Sequence, residues 1–112
     1  MKFKLIKKHK KDSSKWLNRQ INDEFVLKSK KEGFRSRSSY KLIQINEKFD
    51  FLTSSKNILD LGCAPGGWLQ VSKKFSTVQT KILGVDKLNI EEIPGVWFYQ
   101  GDIYNDEVIN HI

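Results

Sequence analysis

The chain has 112 residues, enough for one domain at most, and a core of that size is small against the surface it must cover. With 12% aromatic and 38% hydrophobic residues the composition excludes a disordered chain, and a single cysteine excludes an intrachain disulfide and favours a reducing, cytoplasmic setting. No apolar run approaches the ~20 residues of a membrane span, and the net charge of +7 is placed unevenly.

Residues 1–41 hold 11 Lys and 3 Arg against 4 acids, whereas residues 42–112 hold 6 Lys against 9 acids. A basic segment joined to a mildly acidic body reads as a surface for a polyanion. For the first eleven residues alone, a solubilising lysine tail is an equal alternative. Their basic start has no apolar stretch behind it, so it is not a secretory signal.

Residues 1–12 read as a basic flexible tail. Ser13 or Ser14 can cap a helix running to about Lys31, with Gly33 as its stop and Trp16, Leu17, Ile21 and Phe25 recurring near helical spacing. A polar basic turn, Arg35-Ser36-Arg37-Ser38-Ser39, follows. A second helix is predicted from about Ser38 to Phe49, with Leu42, Ile45 and Phe49 as its apolar stripe. Residues 57–61 predict a buried strand. Gly66 or Gly67 opens a helix to about Phe75, residues 81–86 form a second strand, 96–100 a third, and a helix begins near 105. The tail aside, residues 13–112 form one incomplete domain. The order β-α-β-loop-β predicts parallel strands. In a doubly wound sheet the first strand is central, so the edge of the strand carrying Leu59 is expected to be open and prone to association.

The densest signal is Leu59-Asp60-Leu61-Gly62-Cys63-Ala64-Pro65-Gly66-Gly67-Trp68, a strand that ends in a glycine turn and opens a helix. Glycine lets backbone approach a ligand, and the helix N-terminus offers free N–H groups; an ordinary tight turn is the plain alternative. The spacing is not G-x-G-x-x-G, and Pro65 leaves less room for a pyrophosphate. Asp86 follows Gly62 by 24 residues, near the offset of about 20 for an acid that binds ribose hydroxyls, or it caps a turn. Asp102 closes the next strand, where it can accept from an adenine amine or again serve a turn. Arg35 and Arg37 flank serines, an arrangement suited to phosphate. Trp68 either walls a pocket or packs in the core, Cys63 reads as a small residue in a crowded turn, and Lys41 on position alone is one more solvated lysine. His9, His111 and Cys63 make no metal site.

Together, the Ser13–Leu17 segment, Gly33-Phe34-Arg35-Ser36-Arg37-Ser38-Ser39-Tyr40-Lys41-Leu42, the glycine turn, Gly95-Val96 and Gln100-Gly101-Asp102 resemble the N-terminal half of the FtsJ (RrmJ, or RlmE-type) ribose 2′-O-methyltransferases over about residues 13–108. The resemblance implies a Rossmann-like α/β methyltransferase fold, truncated after about the third strand and preceded by N-terminal helices. It implies S-adenosylmethionine as cofactor and the 2′-hydroxyl of a uridine in large-subunit rRNA as substrate. A Lys-Asp-Lys-Glu tetrad is implied, with its first lysine at Lys41, and cofactor contacts at Gly66, Trp68, Asp86 and Asp102. Arg35 and Arg37 are then expected on RNA, with no metal, no membrane and a monomer at full length. The other tetrad members and strands four to seven of the family lie beyond Ile112, so methyl transfer by residues 1–112 alone is not expected. An RNA-binding remnant without catalysis and a nicotinamide-dependent dehydrogenase half-domain are the alternatives. The latter lacks its glycine spacing and leaves the basic segment without a role.

Overall fold

The structure, a computed structural model, describes residues 23–112. The expected tail and the helix start at Ser13 or Ser14, with Trp16, Leu17 and Ile21, lie outside them. Helix α1 (Glu24–Glu32) is capped at Asp23, so the single helix expected from Ser13 or Ser14 to Lys31 does not run unbroken through that residue. The physical reason is an N-cap: the Asp23 backbone is extended (φ −63°, ψ 127°), and its carboxylate accepts from the N–H groups of Phe25 and Val26. Gly33 ends α1 in the left-handed conformation (φ 80°), as its sequence position anticipates.

Helix α2 (Ser39–Phe49) buries Ser39, Tyr40 and Leu42. The expected apolar stripe breaks at its last member, since Phe49 is 66% exposed. Asn46 accounts for this. Its side-chain oxygen accepts from the N–H groups of Phe51 and Leu52, and the chain turns back so that Leu52 enters the core with Leu42 and Val71.

Strands β1 (Asn57–Leu61), β2 (Lys81–Asp86) and β3 (Trp97–Gln100) form a parallel sheet in the order β1-β2-β3. Helix α3 (Gly67–Phe75) connects the first two and α4 (Asp106–His111) follows the third. The chain is thus an α/β fold with a parallel three-strand sheet. Strand β1 corrects one expectation. It is not buried on both faces, because Leu59 and Leu61 are 49% and 50% exposed. Among the described residues β1 pairs only with β2, and α3 covers the opposite face, toward which Ile58 points.

Two apolar clusters hold the layers together. Leu42, Leu52 and Val71 join α2 to α3, and Cys63, Leu69 and Ile82 join α3 to the sheet; Ile58 packs against both. Gly84 sets the helix–sheet distance, since a Cβ there would lie 2.7 Å from Leu69 Cδ1 and 2.8 Å from Cys63 Sγ. Gly84→Ala is therefore expected to cost about 1–3 kcal/mol through overpacking, measured by urea denaturation; an unchanged midpoint would show that α3 can step back from the sheet.

Candidate functional site

The first three N–H groups of the β1–α3 turn are all paired. Gly62 and Cys63 both donate to the Val85 carbonyl at 2.7 and 3.2 Å, and Ala64 N–H donates to Asp86 Oδ2 at 2.8 Å. The Ala64–Pro65 peptide is cis. Gly62 has φ 75°, and a Cβ built there would meet no atom within 4 Å, so the turn faces open space on that side. Gly66, at φ 113°, is the N-cap of α3 and brings no side chain to cap it, which leaves the first N–H groups of the helix unsatisfied. The other side of the turn is crowded. A Cβ at Gly67 would lie 2.6 Å from Ser39 Oγ and 2.7 Å from Ser36 Oγ.

Beside this turn lies a hollow of about 330 Å³ walled by Ser36, Ser38, Asp60, Gly62, Pro65 and Trp68, among others. A larger one of about 490 Å³, under Ile90, Ile93, Trp97 and Phe98, contains Glu92 but no residue of the glycine turn. The smaller hollow is the candidate site, because hydroxyls, a carboxylate and a free helix end converge there.

Two carboxylates dominate its electrostatics. Asp60 is in register with Gly84, so it emerges on the same sheet face as Asp86, one pleat further along β2. Burial, and then the Asp86 charge, push the Asp60 carboxyl above its ordinary value of 3.8, and its Oδ2 is buried with no hydrogen-bond partner. Asp86 itself spans the site, with Oδ2 on Ala64 N–H and Oδ1 accepting from Leu88 N–H at 2.9 Å. The Cys63 thiol is pushed up to about 11 by burial, with Asp60 and Asp86 adding to the effect. It stays protonated at neutral pH and is a packing group, not a nucleophile.

Asp102 stands just past β3. Gly101 N–H bonds to the Asp86 carbonyl, which sets the two acids at neighbouring strand ends. The N–H of Tyr104, and then the Lys87 ammonium 3.3 Å away, hold the Asp102 carboxyl below its ordinary value. Trp68 is 37% exposed and lines the hollow, not the core, with its Nε1 donating to the Ser38 carbonyl at 2.9 Å. The Lys41 N–H donates to that same carbonyl at 3.0 Å. Lys41 is thereby fixed beside Trp68 at the start of α2 with its side chain exposed.

The structure thus brings Gly66, Trp68 and Asp86 round one turn, with Lys41 and Asp102 on its two flanks. Both arginines expected on phosphate have protein partners here. The Arg35 guanidinium donates to the carbonyls of Pro65, Glu91 and Glu92 at 3.0, 2.8 and 3.2 Å, so three of its five donors are already taken. Arg37 pairs with the Asp23 carboxylate at 3.0 Å and remains half exposed. Asp60, Ser36 and Ser38 join the site without having been singled out from sequence. An aspartate between two leucines inside a strand was a visible signal for the first; nothing local marked the serines. Among the described residues no group of acids, histidines and cysteines suits a metal, and no helix is long and apolar enough to cross a membrane.

Residues 34–112 match the family described as FtsJ-like methyltransferase. The chain is 46% identical over 112 residues to a protein of Rickettsia bellii named ribosomal RNA large subunit methyltransferase E, covering 96% of this chain and 49% of that one. A protein of the same name from Novosphingobium aromaticivorans is 46% identical over 106 residues, covering 95% and 47%. Among solved structures, a ribosomal RNA methyltransferase from Plasmodium falciparum superposes with a TM-score of 0.58 at 45% identity, over 66% of this chain and 41% of that one. The chain spans about half the length of the curated relatives it matches. None of these findings favours a dehydrogenase. A parallel sheet with its glycine turn and strand-end acids at one edge, matched to this family over residues 34–112, means that the chain belongs to the FtsJ-like methyltransferases.

Proposed function

We propose that this chain supplies the cofactor-holding and RNA-docking half of an S-adenosylmethionine-dependent methyltransferase. Its target on this reading is a uridine ribose 2′-hydroxyl in large-subunit rRNA. One observation carries it: the partnerless Asp60 Oδ2, raised in pKa beside Asp86, in the wall of a hollow that also meets the free N-terminus of α3. Such a place suits a ligand that is cationic at one group and anionic at another. A cation relieves the repulsion between the two carboxylates, and a carboxylate satisfies helix N–H groups. The ammonium and carboxylate of a methionyl group meet both demands, with the Ser36 and Ser38 hydroxyls at the same wall.

The remaining assignments follow from position. Gly66 leaves the N-cap of α3 without a capping side chain, and Trp68 walls the hollow. Asp86 retains lone pairs for ribose hydroxyls, since each oxygen accepts one N–H bond here. Asp102 would accept from an adenine amine. When bound, S-adenosylmethionine supplies an activated methyl group on sulfur. Lys41 would orient the target hydroxyl and favour loss of its proton, and positioning supplies much of the acceleration. Arg37, half exposed, would leave Asp23 for an RNA phosphate.

Calorimetry with S-adenosylmethionine tests this reading. The chain is expected to bind weakly, and Asp86→Ala to abolish the heat; unchanged affinity removes Asp86 from the site, and no binding by the parent chain leaves the RNA-binding remnant. Asp60→Asn separates function from stability. The folded pKa of Asp60 lies above its ordinary 3.8, so the ionised group opposes folding at neutral pH, and that penalty disappears as pH falls through the folded pKa toward the unfolded value. Asp60→Asn should therefore raise the melting temperature at pH 7, lose that advantage below the unfolded pKa, and weaken cofactor binding; a lower melting temperature at pH 7 contradicts the sign. RNA affinity should fall steeply with salt, and Arg37→Ala should reduce the slope of log K against log salt by about 1. A slope unaffected by that change removes Arg37 from the interface.

A further inference from the structure

We propose that Arg35 is a positioning residue of the cofactor site, a clamp that locks the turn leaving β1 to the loop leaving β2. This rests on the reading of the glycine turn as a cofactor cradle, and it gives Arg35 a different task from phosphate contact.

The clamp is held at both ends. Arg35 N–H donates to Gln70 Oε1 at 2.8 Å, and Gln70 Nε2 donates to the Gly33 carbonyl at 3.0 Å, so α3 itself grips the backbone on either side of Phe34. From there the side chain crosses beneath the turn. Nη1 bridges the carbonyls of Pro65 and Glu91, and Nη2 reaches that of Glu92. A Cβ on Gly66 would lie 2.9 Å from Nη1 and 3.4 Å from Arg35 Cδ. The guanidinium, together with Ile93 Cδ1 at 3.1 Å, thus fills the space that Gly66 leaves.

The loop held at Glu91 and Glu92 is part of the same site. It leaves β2 at Asp86, whose carboxylate takes the Leu88 N–H, and Ile90 and Ile93 pack it against Cys63, Leu69 and Ile82. The turn at Pro65 and Gly66 presents the α3 N-terminus. Holding the two segments on one planar fork keeps that N-terminus and the Asp86 carboxylate at a constant separation, as a ligand touching both requires. A lysine cannot replace the fork, because a single ammonium does not span three carbonyls lying in different directions. The positive charge beneath the turn also adds to the attraction of the helix end for an anion.

The test compares cofactor and RNA binding in the same variants of the chain, using calorimetry with S-adenosylmethionine and anisotropy with a labelled uridine-rich RNA hairpin. Arg35→Lys is expected to weaken cofactor binding about tenfold or more, since charge-assisted hydrogen bonds are lost. Its RNA affinity and salt slope should stay within about twofold of the parent, because the charge is kept. Arg37→Lys should leave cofactor binding unchanged. Arg35→Ala should lose cofactor binding and regain part of it on addition of methylguanidine, with circular dichroism reporting whether the chain is folded. Cofactor affinity of Arg35→Lys within about twofold of the parent overturns the clamp, as does a loss confined to RNA binding or a folded Arg35→Ala that methylguanidine does not rescue. A parent chain that binds no S-adenosylmethionine overturns the cofactor reading itself, and the clamp with it.

Discussion

The carbonyl of Val85 receives the N–H groups of both Gly62 and Cys63, and the rest of the site depends on that pairing. It continues the parallel β1–β2 ladder past the last residue of β1, so the glycine turn leaves the sheet at a defined height. The Asp86 side chain then takes the next N–H, that of Ala64. Parallel strands place all their C-terminal ends at one edge of the sheet, and a turn tied to that edge collects whatever acids the strands end in. The carboxylates are neighbours because of register, not because of sequence proximity. Asp60 aligns with Gly84, Asp86 lies one pleat beyond, and Gly101 carries Asp102 back to the Asp86 carbonyl.

Charge is distributed in keeping with that arrangement. The inner wall is acidic and short of hydrogen-bond donors on one side, with an orphaned carboxylate oxygen at Asp60, while an uncapped helix end offers donors on the other. Basic groups surround this wall. Lys41 stands outside Trp68, Lys87 neutralises Asp102 and Arg37 is held by Asp23. On the proposed reading, this arrangement suits a ligand of mixed charge in the hollow and a polyanion at its rim.

The turn from Arg35 to Ser39 is tied into the fold along its whole length. Arg35 grips Pro65, Glu91 and Glu92; Ser36 Oγ lies against Gly67 and bonds to Ser38 Oγ at 2.6 Å. Arg37 reaches the α1 cap, the Ser38 carbonyl receives the Trp68 indole, and buried Ser39 packs on Gly67. Every residue of the run has a tertiary partner. A basic, serine-rich stretch that reads locally as a phosphate contact is therefore also the mould against which α3 is set.

Sequence alone determined the parts of this protein that local physics governs. Gly33 stops α1 because only glycine enters the left-handed region without strain, and apolar runs ending in glycine or aspartate marked β1, β2 and β3 to within a residue. That Gly66, Trp68, Asp86 and Asp102 stand at strand and helix ends was legible, because apolar runs and glycines bound those elements. Tertiary structure decided the rest. The cap at Asp23 set the start of α1, and the Asn46 side chain substituted Leu52 for Phe49 in the core. Strand β1 kept one face exposed, because among the described residues nothing packs over Leu59 and Leu61. Arg35 turned from a surface cation into a clamp because its acceptors lie 30, 56 and 57 residues away along the chain. Sequence periodicity reports which residues share a face of one element; it carries no information on which carbonyls another element will bring within reach of a guanidinium.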